Sequence, residues 1–288
     1  MTRINKRAWL PLILIISLCL GLPGLYYAGR PLAVEQREEI YPGVIYYRKV
    51  HRDPRPMVAH IVTIDLTNPN ISFLVTPPDD RKEEFPLRAR TTLQFAKEEQ
   101  VQIAVNGDGF TPWYSNNLFD YYPHQGDPVR PNGFAASRGI KYSYGSEPTL
   151  FIAKDNTTRF NQSVRTVYNA ISGDRMLMEN GKVIEDLADV LPAPRSAIGL
   201  DHGRTKLIII VVDGRQPFYS EGATVAELGE LLKLYGAESA MNLDGGGSST
   251  LVIQLPGGNP RVINSPIDNY LPGRQRAIAN HLGILISP

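Results

Sequence analysis

The sequence contains very little cysteine. Its 288 residues include a single one, Cys19, which lies in an apolar stretch close to the N-terminus and in a context that does not match a lipidation motif. The rest of the chain therefore has neither disulfides nor thiol chemistry. A domain of this size is large enough to be stabilised by its hydrophobic core instead.

The sequence also lacks an excess of charge of either sign. It has 30 Lys and Arg residues against 29 Asp and Glu residues, which gives a formal net charge of +1 at pH 7. Domains that bind nucleic acids usually carry a clear basic surplus. We therefore expect no nucleic acid partner.

Several common catalytic signatures are missing. The five histidines show no H-E-x-x-H or similar spacing, so zinc catalysis is unsupported. Ser248 and Ser249 are not part of a G-x-S-x-G elbow, which leaves a serine hydrolase with Ser248 as nucleophile as a minor alternative. The phosphate-binding motif G-x-x-x-x-G-K-[ST] is also absent.

The N-terminus has the pattern of a membrane-targeting segment. Arg3, Lys6 and Arg7 precede an apolar run over residues 8–22, as in signal peptides and single-pass anchors. Bulky residues occupy the positions where signal cleavage needs small ones, which favours an uncleaved anchor. The basic end would then be cytoplasmic and the rest of the chain extracytoplasmic, and cleavage would instead release a secreted protein.

The remaining chain is predicted to form one domain. After the segment over 1–30, the polar residues 31–39 have no periodicity and predict a spacer. Over 40–288, short strand patterns alternate with turn signals, and helical periodicity occurs over 87–99 and 224–235. We therefore expect an α+β fold, with a mixed, β-rich central sheet and a few packing helices.

Three aspartates follow predicted buried strands. Asp108, Asp213 and Asp244 each stand directly before a glycine. Ligand sites gather where loops leave the ends of strands, so one shared site is one interpretation. The other is that each aspartate merely begins a turn. The glycines at 245–247 are costly to order, and their amides could form an anion-binding nest.

Arginines and aromatic residues occur close to these strand ends. Arg195, Arg215 and Arg276 offer planar guanidinium groups that suit phosphate or carboxylate, although a single arginine is more often a surface residue. Residues 111–134 form a long predicted loop rich in aromatic residues and proline. Its rings either stack on sugars or pack against one another.

Five motifs follow one another in order: N-G-D-G-F at 106–110, P-R-S-A-I-G at 194–199, V-D-G-R at 212–215, L-x-x-Y-G-A at 232–237 and M-N-L-D-G-G-G-S-S-T at 241–250. Together they resemble the phosphodiester glycosidase family. One position departs from the usual N-G-G-F-F pattern of that family, because Asp108 replaces a glycine.

The resemblance implies hydrolysis of the bond between a sugar C1 and a phosphodiester in an extracytoplasmic glycan or glycoconjugate. Ordinary glycosidases use two carboxylates because an alkoxide leaving group must be protonated. A phosphodiester leaves as a stable anion, so one carboxylate with phosphate-binding cations could suffice.

The resemblance also implies roles for individual residues. Asp244 is the principal carboxylate, as nucleophile or as base for water, and Asp213 is the second catalytic candidate. The candidates for substrate binding are Asn106, Asp108, Arg195, Arg215, Asn242, Gly245, Gly246, Gly247, Ser248 and Arg276. Among these, the glycine amides would hold the phosphate with Arg195 and Arg215. A divalent cation, Ca²⁺ or Mg²⁺, could be bound by Asp108 or Asp213.

A non-enzymatic alternative also fits the sequence. A membrane-anchored module that binds exopolysaccharide or envelope polysaccharide would use the aromatic loop over 111–134 as a stacking surface. Both alternatives predict a carbohydrate or sugar-phosphate ligand, and a membrane contact through the N-terminal segment.

Overall fold

The computed structural model describes residues 30–185, 187 and 191–287, together with the isolated positions 17 and 21. The chain divides into two compact units, Met1–Leu32 and Ala33–Pro288, and the fold below is that of the second. The predicted membrane segment lies outside the described residues, apart from positions 17, 21 and 30. In the described part of the chain, no helix is both long enough and apolar enough to cross a membrane.

β-Strands dominate the described residues. The strands are β1 (Gln36–Tyr41), β2 (Val44–His51), β3 (Met57–Asp65), β4 (Ile71–Val75), β5 (Leu87–Arg88), β6 (Ile103–Asn106), β7 (Phe110–Thr111), β8 (Tyr114–Ser115), β9 (Tyr121–Tyr122), β10 (Pro128–Pro131), β11 (Ala135–Ser137), β12 (Ile140–Ser143), β13 (Thr149–Ile152), β14 (Thr158–Phe160), β15 (Asn169–Ser172), β16 (Arg175–Glu179), β17 (Lys182–Val183), β18 (Arg195–Leu200), β19 (Lys206–Val212), β20 (Ser239–Asn242), β21 (Leu251–Ile253), β22 (Arg261–Val262), β23 (Ile267–Asp268), β24 (Leu271–Pro272) and β25 (His281–Ile286). The helical elements are α1 (Thr92–Glu98), α2 (Val225–Leu234) and a 3₁₀ turn over Gly246–Ser248.

Two large sheets form the body of the fold. The first has eight strands in the order β1-β2-β3-β19-β18-β20-β16-β17, and the second has five in the order β22-β21-β6-β25-β4. A third sheet has the order β12-β11-β15-β13-β14, and the smaller sheets are β5-β10-β7, β23-β24 and β8-β9.

Every pairing between the described strands is antiparallel. The predicted mixed sheet is therefore wrong, although the β-rich character is confirmed. Parallel neighbours need long crossover connections, usually a helix, and the described residues contain only two α-helices. The fold is mostly β rather than a balanced α+β fold.

The two large sheets pack face to face, and each carries a helix on its outer side. Because side chains alternate along a strand, Ile209 and Val211 of β19 belong to the core shared with the second sheet. Ile208 and Ile210 belong instead to the cluster that packs against α2. Phe95 of α1 packs on the second sheet. The order of layers is therefore helix, sheet, sheet, helix.

The two α-helices begin at capping boxes. Thr224 accepts a hydrogen bond from the Glu227 amide, and the Glu227 side chain accepts one from the Thr224 amide, which confirms the predicted start of α2. Thr91 makes the same exchange with Gln94, so α1 begins only at Thr92. The predicted helix over 87–99 is wrong in its first part, because Leu87–Arg88 pairs with β10 instead.

Part of the predicted spacer over 31–39 is a strand. Gln36–Tyr41 forms β1, which pairs with β2 at the edge of the first sheet. Of its six residues only Ile40 is fully buried, and for this reason the segment lacks the alternation of apolar and polar residues that would have identified it.

The ends of β6 and β20 join the two large sheets. β6 leads into Gly107, and β20 leads through Leu243 into Asp244. The Asp244 amide donates a hydrogen bond to the Gly107 carbonyl at 2.9 Å. The glycine-rich stretch that follows Asp244 therefore lies where the two sheets meet.

Candidate active site

Asn106 is the central link at this junction. Its Nδ2 donates to the Asp244 carbonyl oxygen at 2.7 Å. Its Oδ1 accepts from Ser196 Oγ at 2.7 Å and from the Thr250 amide at 3.2 Å. The side chain is fully buried and does not line the cleft described below. Asn106 was predicted to bind substrate, but the structure places it beneath the Asp244 loop.

The carboxylate of Asp244 is held by its own loop. Oδ1 accepts a hydrogen bond from the Gly245 amide at 2.9 Å, and Oδ2 accepts one from Ser248 Oγ. Burial raises the pKa of Asp244, while the Ser248 hydroxyl and the positive charge of Arg276 oppose this increase. Both donors favour the ionised form of the carboxylate.

Asp244 opens onto a cleft of about 660 Å³. The predicted site residues that line this cleft are Arg195, Arg215, Asn242, Asp244, Gly245, Gly246 and Arg276. Trp113, Asp174 and Tyr270 line it as well. One carboxylate of the predicted catalytic pair and all three predicted arginines therefore face a common space.

The three arginines differ in how firmly they are held. Arg276 donates from Nε to Asp268 Oδ1 at 2.9 Å and lies over the Trp113 ring, 5.0 Å from its centroid. Arg195 donates to the carbonyl oxygens of Ala223 and Leu191 at 3.2 and 3.3 Å. Arg215 is exposed.

Two of the three glycine amides predicted to hold the phosphate donate to groups of the protein itself. The Gly245 amide donates to Asp244, and the Gly246 amide donates to the Pro194 carbonyl at 2.9 Å. Those two amides are therefore already used within the protein. Glycine is needed for other reasons: Gly246 has φ +61°, and a Cβ at Gly247 would lie 2.7 Å from Arg276 Nη2 and closer still to Asp268.

Asp213 does not line the cleft. Its Oδ1 accepts from Asn264 Nδ2 at 3.0 Å and from the Ser265 amide at 2.7 Å. Its Oδ2 lies 3.1 Å from His60 Nε2 and accepts from the Tyr219 hydroxyl at 3.2 Å. Alternation along β19 places Asp213 on the same side as Val211, towards the interior. The structure therefore does not bring the two predicted catalytic carboxylates together.

Asp108 lies beside the cleft, next to Gly109 in its wall. It is 1% exposed, and its Oδ2 accepts from the Gly133 amide at 2.6 Å. Burial raises the pKa of Asp108 to about 7, the Gly133 amide opposes this, and the negative charges of Glu147 and Asp244 add to the increase.

The predicted Ca²⁺ or Mg²⁺ gains no support from these surroundings. Within residues 30–185, 187 and 191–287, no group of three or more His, Cys, Asp or Glu residues is arranged to hold a metal ion. The carboxylate oxygens of Asp213 contact His60 and three hydrogen-bond donors. A metal at Asp108 or Asp213 stays a prediction.

Asn242 and Ser248 have different surroundings. Asn242 Nδ2 donates to Asp174 Oδ1 at 2.7 Å, and its buried Oδ1 has no hydrogen-bond partner in the described part of the chain. Ser248 is buried and donates to Asp244, and the described residues place no histidine in hydrogen-bond contact with its hydroxyl. The arrangement does not support Ser248 as a serine nucleophile.

The five sequence motifs lie within the fold of two packed sheets. A family model described as phosphodiester glycosidase matches residues 99–285. The chain belongs to the phosphodiester glycosidase family. The match begins after α1 and includes both strand ends that form the cleft.

Several solved structures are similar to this phosphodiester glycosidase family member, among them one from Synechocystis and one from zebrafish. A hypothetical protein from Synechocystis matches with a TM-score of 0.64 and 14% identity, over 88% of this chain and 64% of that one, so this chain spans less than two thirds of that protein. The zebrafish N-acetylglucosamine-1-phosphodiester alpha-N-acetylglucosaminidase catalytic domain, auto-inhibited by its pro-peptide, matches with a TM-score of 0.57 and 20% identity, over 88% and 87%. At these identities the similarity shows the fold. A sequence comparison with curated proteins finds no match.

The aromatic loop over 111–134 of this family member has residues that suit each of the two predicted roles, stacking on a sugar and packing within the loop. Trp113 lines the cleft, which suits stacking on a ligand. Tyr122 instead stacks on Tyr114, with ring centroids 6.1 Å apart, and donates its hydroxyl to the Pro128 carbonyl at 2.7 Å. Only part of the loop therefore packs against itself.

Sequence reasoning missed three residues around the cleft. Asp174 holds Asn242, Asp268 holds Arg276, and Tyr270 lines the cleft at the tip of the β23–β24 hairpin. The Asp-Asn pair at 268–269 is a turn signal that could have located this hairpin. No sequence signal connects the hairpin to Asp244.

Proposed function

We propose that this protein hydrolyses the bond between C1 of a sugar and a phosphodiester oxygen in an extracytoplasmic glycan or glycoconjugate. The observation that carries the proposal is the meeting of Asp244 with Arg195, Arg215 and Arg276 around one cleft. Membership of the phosphodiester glycosidase family supports the same reaction class.

The reaction is a hydrolysis in which water replaces the phosphate at C1 of the sugar. The oxygen of water ends up bonded to C1, the bond between C1 and the phosphate oxygen breaks, and its electron pair leaves with the phosphate. Asp244 acts at C1, either as the nucleophile of a two-step reaction or as the base that takes the proton of water. The products are a free sugar and a phosphate monoester.

The positive charges suit the leaving group. A phosphate monoester leaves as an anion, so charge stabilisation by guanidinium groups can replace a strong general acid. Arg215 is exposed at the cleft and Arg195 lies beside Gly245, with its Cδ 3.8 Å from an ideal Cβ at that glycine. Both therefore border the space that a phosphate next to Asp244 would occupy.

Asn242 and Trp113 suit the sugar. The buried Oδ1 of Asn242, which has no hydrogen-bond partner among the described residues, can accept a hydrogen bond from a sugar hydroxyl, which would remove the cost of an unpaired polar atom. Trp113, which lines the cleft and is 49% exposed, offers apolar surface to a sugar ring. These contacts would orient C1 towards Asp244.

The proposal is tested with Asp244→Asn. We expect hydrolysis of a panel of sugar-1-phosphodiesters to fall by at least about 100-fold, since this is the usual scale of an essential acid or base, with little change in the thermal melt. Asp155→Asn is the matched control, because Asp155 is an exposed turn residue away from the cleft. Retained activity in Asp244→Asn would contradict the role of Asp244.

The polysaccharide-binding module gives a different result in the same experiment. It would bind sugar-1-phosphodiesters without releasing product, and Asp244→Asn would leave binding unchanged. The predicted membrane anchor belongs to the proposal as well and is supported by the basic residues before the apolar run over 8–22. Fractionation of cells that express the full chain would test it, since an anchored protein sediments with membranes.

A further inference from the structure

We propose that Asp268 is a positioning residue that holds the guanidinium of Arg276 against the loop that carries Asp244. The inference rests on the proposed function. Asp268 is 3% exposed. Its Oδ1 accepts from Arg276 Nε at 2.9 Å, and its Oδ2 lies 3.4 Å from Arg274 Nε.

Arg276 is held from several directions. Besides Asp268, its Nη1 lies 3.4 Å from Ser248 Oγ, and its guanidinium carbon lies 5.0 Å from the Trp113 ring centroid. The side chain is 14% exposed. A guanidinium restrained in this way cannot move when a substrate binds, whereas the guanidinium of the exposed Arg215 can. The guanidinium of Arg276 is therefore held next to the loop that carries Asp244.

The charges around Asp244 explain why this position matters. Asp174 adds a negative charge on the side of β16, Asp108 lies below on the β6 side, and Arg195 lies beside Gly245. Burial and Asp174 both raise the pKa of Asp244, and Arg276 opposes them. Without Arg276 in place, Asp244 would be protonated over a wider pH range and inactive there.

Gly247 supports the same interpretation. A Cβ at this position would lie 2.7 Å from Arg276 Nη2 and even closer to Asp268 Oδ1. The third glycine of the motif is therefore packed directly against the pair between Asp268 and Arg276. The glycine-rich loop and this ion pair form one unit.

The direction in which Asp268→Asn moves the acid limb of kcat/KM distinguishes a positioning role of Asp268 from a direct effect of its charge. If Asp268 acted on Asp244 only through its own negative charge, Asp268→Asn would lower the pKa of Asp244 and move the acid limb of kcat/KM to lower pH. If it positions Arg276, the guanidinium is released and the acid limb moves to higher pH. We expect a rise of about one pH unit, which is the lower end of the effect of an opposite charge at close range.

The experiment measures pH profiles of kcat/KM for the wild type, Asp268→Asn, Arg276→Gln and the double variant. Because Asp268 acts through Arg276, the double variant should resemble Arg276→Gln, so the two shifts should not add. Glu227→Gln is the control, since Glu227 pairs with Arg55 at the start of α2, away from the cleft. It should leave the profile unchanged.

Two further measurements keep the test decisive. Gly247→Ala retains both charges but forces Asp268 and Arg276 apart, so it should move the acid limb of kcat/KM to higher pH. This variant tests the proposal even if Asp268→Asn folds poorly. NMR titration of the Asp244 carboxyl carbon, assigned with Asp244→Asn, reports the same shift without turnover. An inactive wild type would refute the proposed function only. An unchanged or lowered Asp244 pKa in Asp268→Asn, or additive shifts in the double variant, would overturn the positioning role.

Discussion

Replacing Asn106 by alanine should damage both stability and activity. The change removes the acceptor for Ser196 Oγ and the Thr250 amide and the donor to the Asp244 carbonyl. Each buried polar group left unpaired costs about 1–3 kcal/mol. Since water and small shifts recover part of this, we expect the free energy of unfolding to fall by about 3 kcal/mol, at the low end of the sum for three groups.

Activity should fall further than stability alone explains. Asn106 is the side-chain link between β6 and the Asp244 loop, so its loss releases the proposed catalytic carboxylate from its fixed position. A displacement of about 1 Å at a reacting group can cost roughly 100-fold in rate. We therefore expect a loss of this size in kcat at a temperature well below the melting point.

Asn169 provides a matched control. It is also a buried asparagine between two sheets: its Nδ2 donates to the Phe73 carbonyl at 2.8 Å, and its Oδ1 accepts from the amides of Val75 and Arg138, each at 3.3 Å. Asn169→Ala should cost similar stability in urea denaturation but keep kcat. Equal kcat losses in the two variants, or an active Asn106→Ala, would refute the link between Asn106 and the position of Asp244.

Other predictions concern the bond cleaved, the pH dependence and the cleft wall. In H₂¹⁸O, mass spectrometry should find the label in the sugar, and label in the phosphate product would contradict cleavage at C1. The raised pKa of Asp108, about 7 against a usual value of 3.8, means that the unfolded state loses this proton first, so the stability that Asp108 contributes should be lost as pH rises from about 4 to about 7. Asp108→Asn should gain stability relative to the wild type over that window in urea denaturation, and a constant difference would contradict the assignment. Trp113→Ala should raise KM several-fold, because aromatic stacking contributes about 1 kcal/mol, while Trp113→Phe should retain most of the affinity; equal KM values for the two would argue against stacking.

Local sequence patterns predicted some features of the fold well. The helical periodicity over 224–235 located α2, and the apolar run before Asp213 predicted the buried strand β19. The strand ahead of Asp244 was also predicted, because its apolar residues end abruptly at glycine. These features depend only on neighbours in the sequence.

Features that depend on register could not be predicted in this way. Asp108, Asp213 and Asp244 all follow strands, but the side chain of Asp213 turns into the interior, where His60 and Asn264 meet it. The role of Asp268 depends on a hairpin folding back over Gly247. The direction of a side chain and the position of a hairpin depend on how strands distant in sequence pair with one another. The periodicity within one segment carries no information on this pairing.

The junction at Asn106 also affects the order in which the proposed active site can form. Asn106 and Asp244 are 138 residues apart in sequence, and β25, which follows the other described strands in the chain, lies between β6 and β4 in the second sheet. A chain that lacks residues 281–286 therefore lacks the strand that pairs with β6, which carries Asn106. Catalytic competence should arise in one late step, after residues 281–286 have entered the sheet. Contacts of such long range also slow folding, so activity should recover no earlier than the last folding phase.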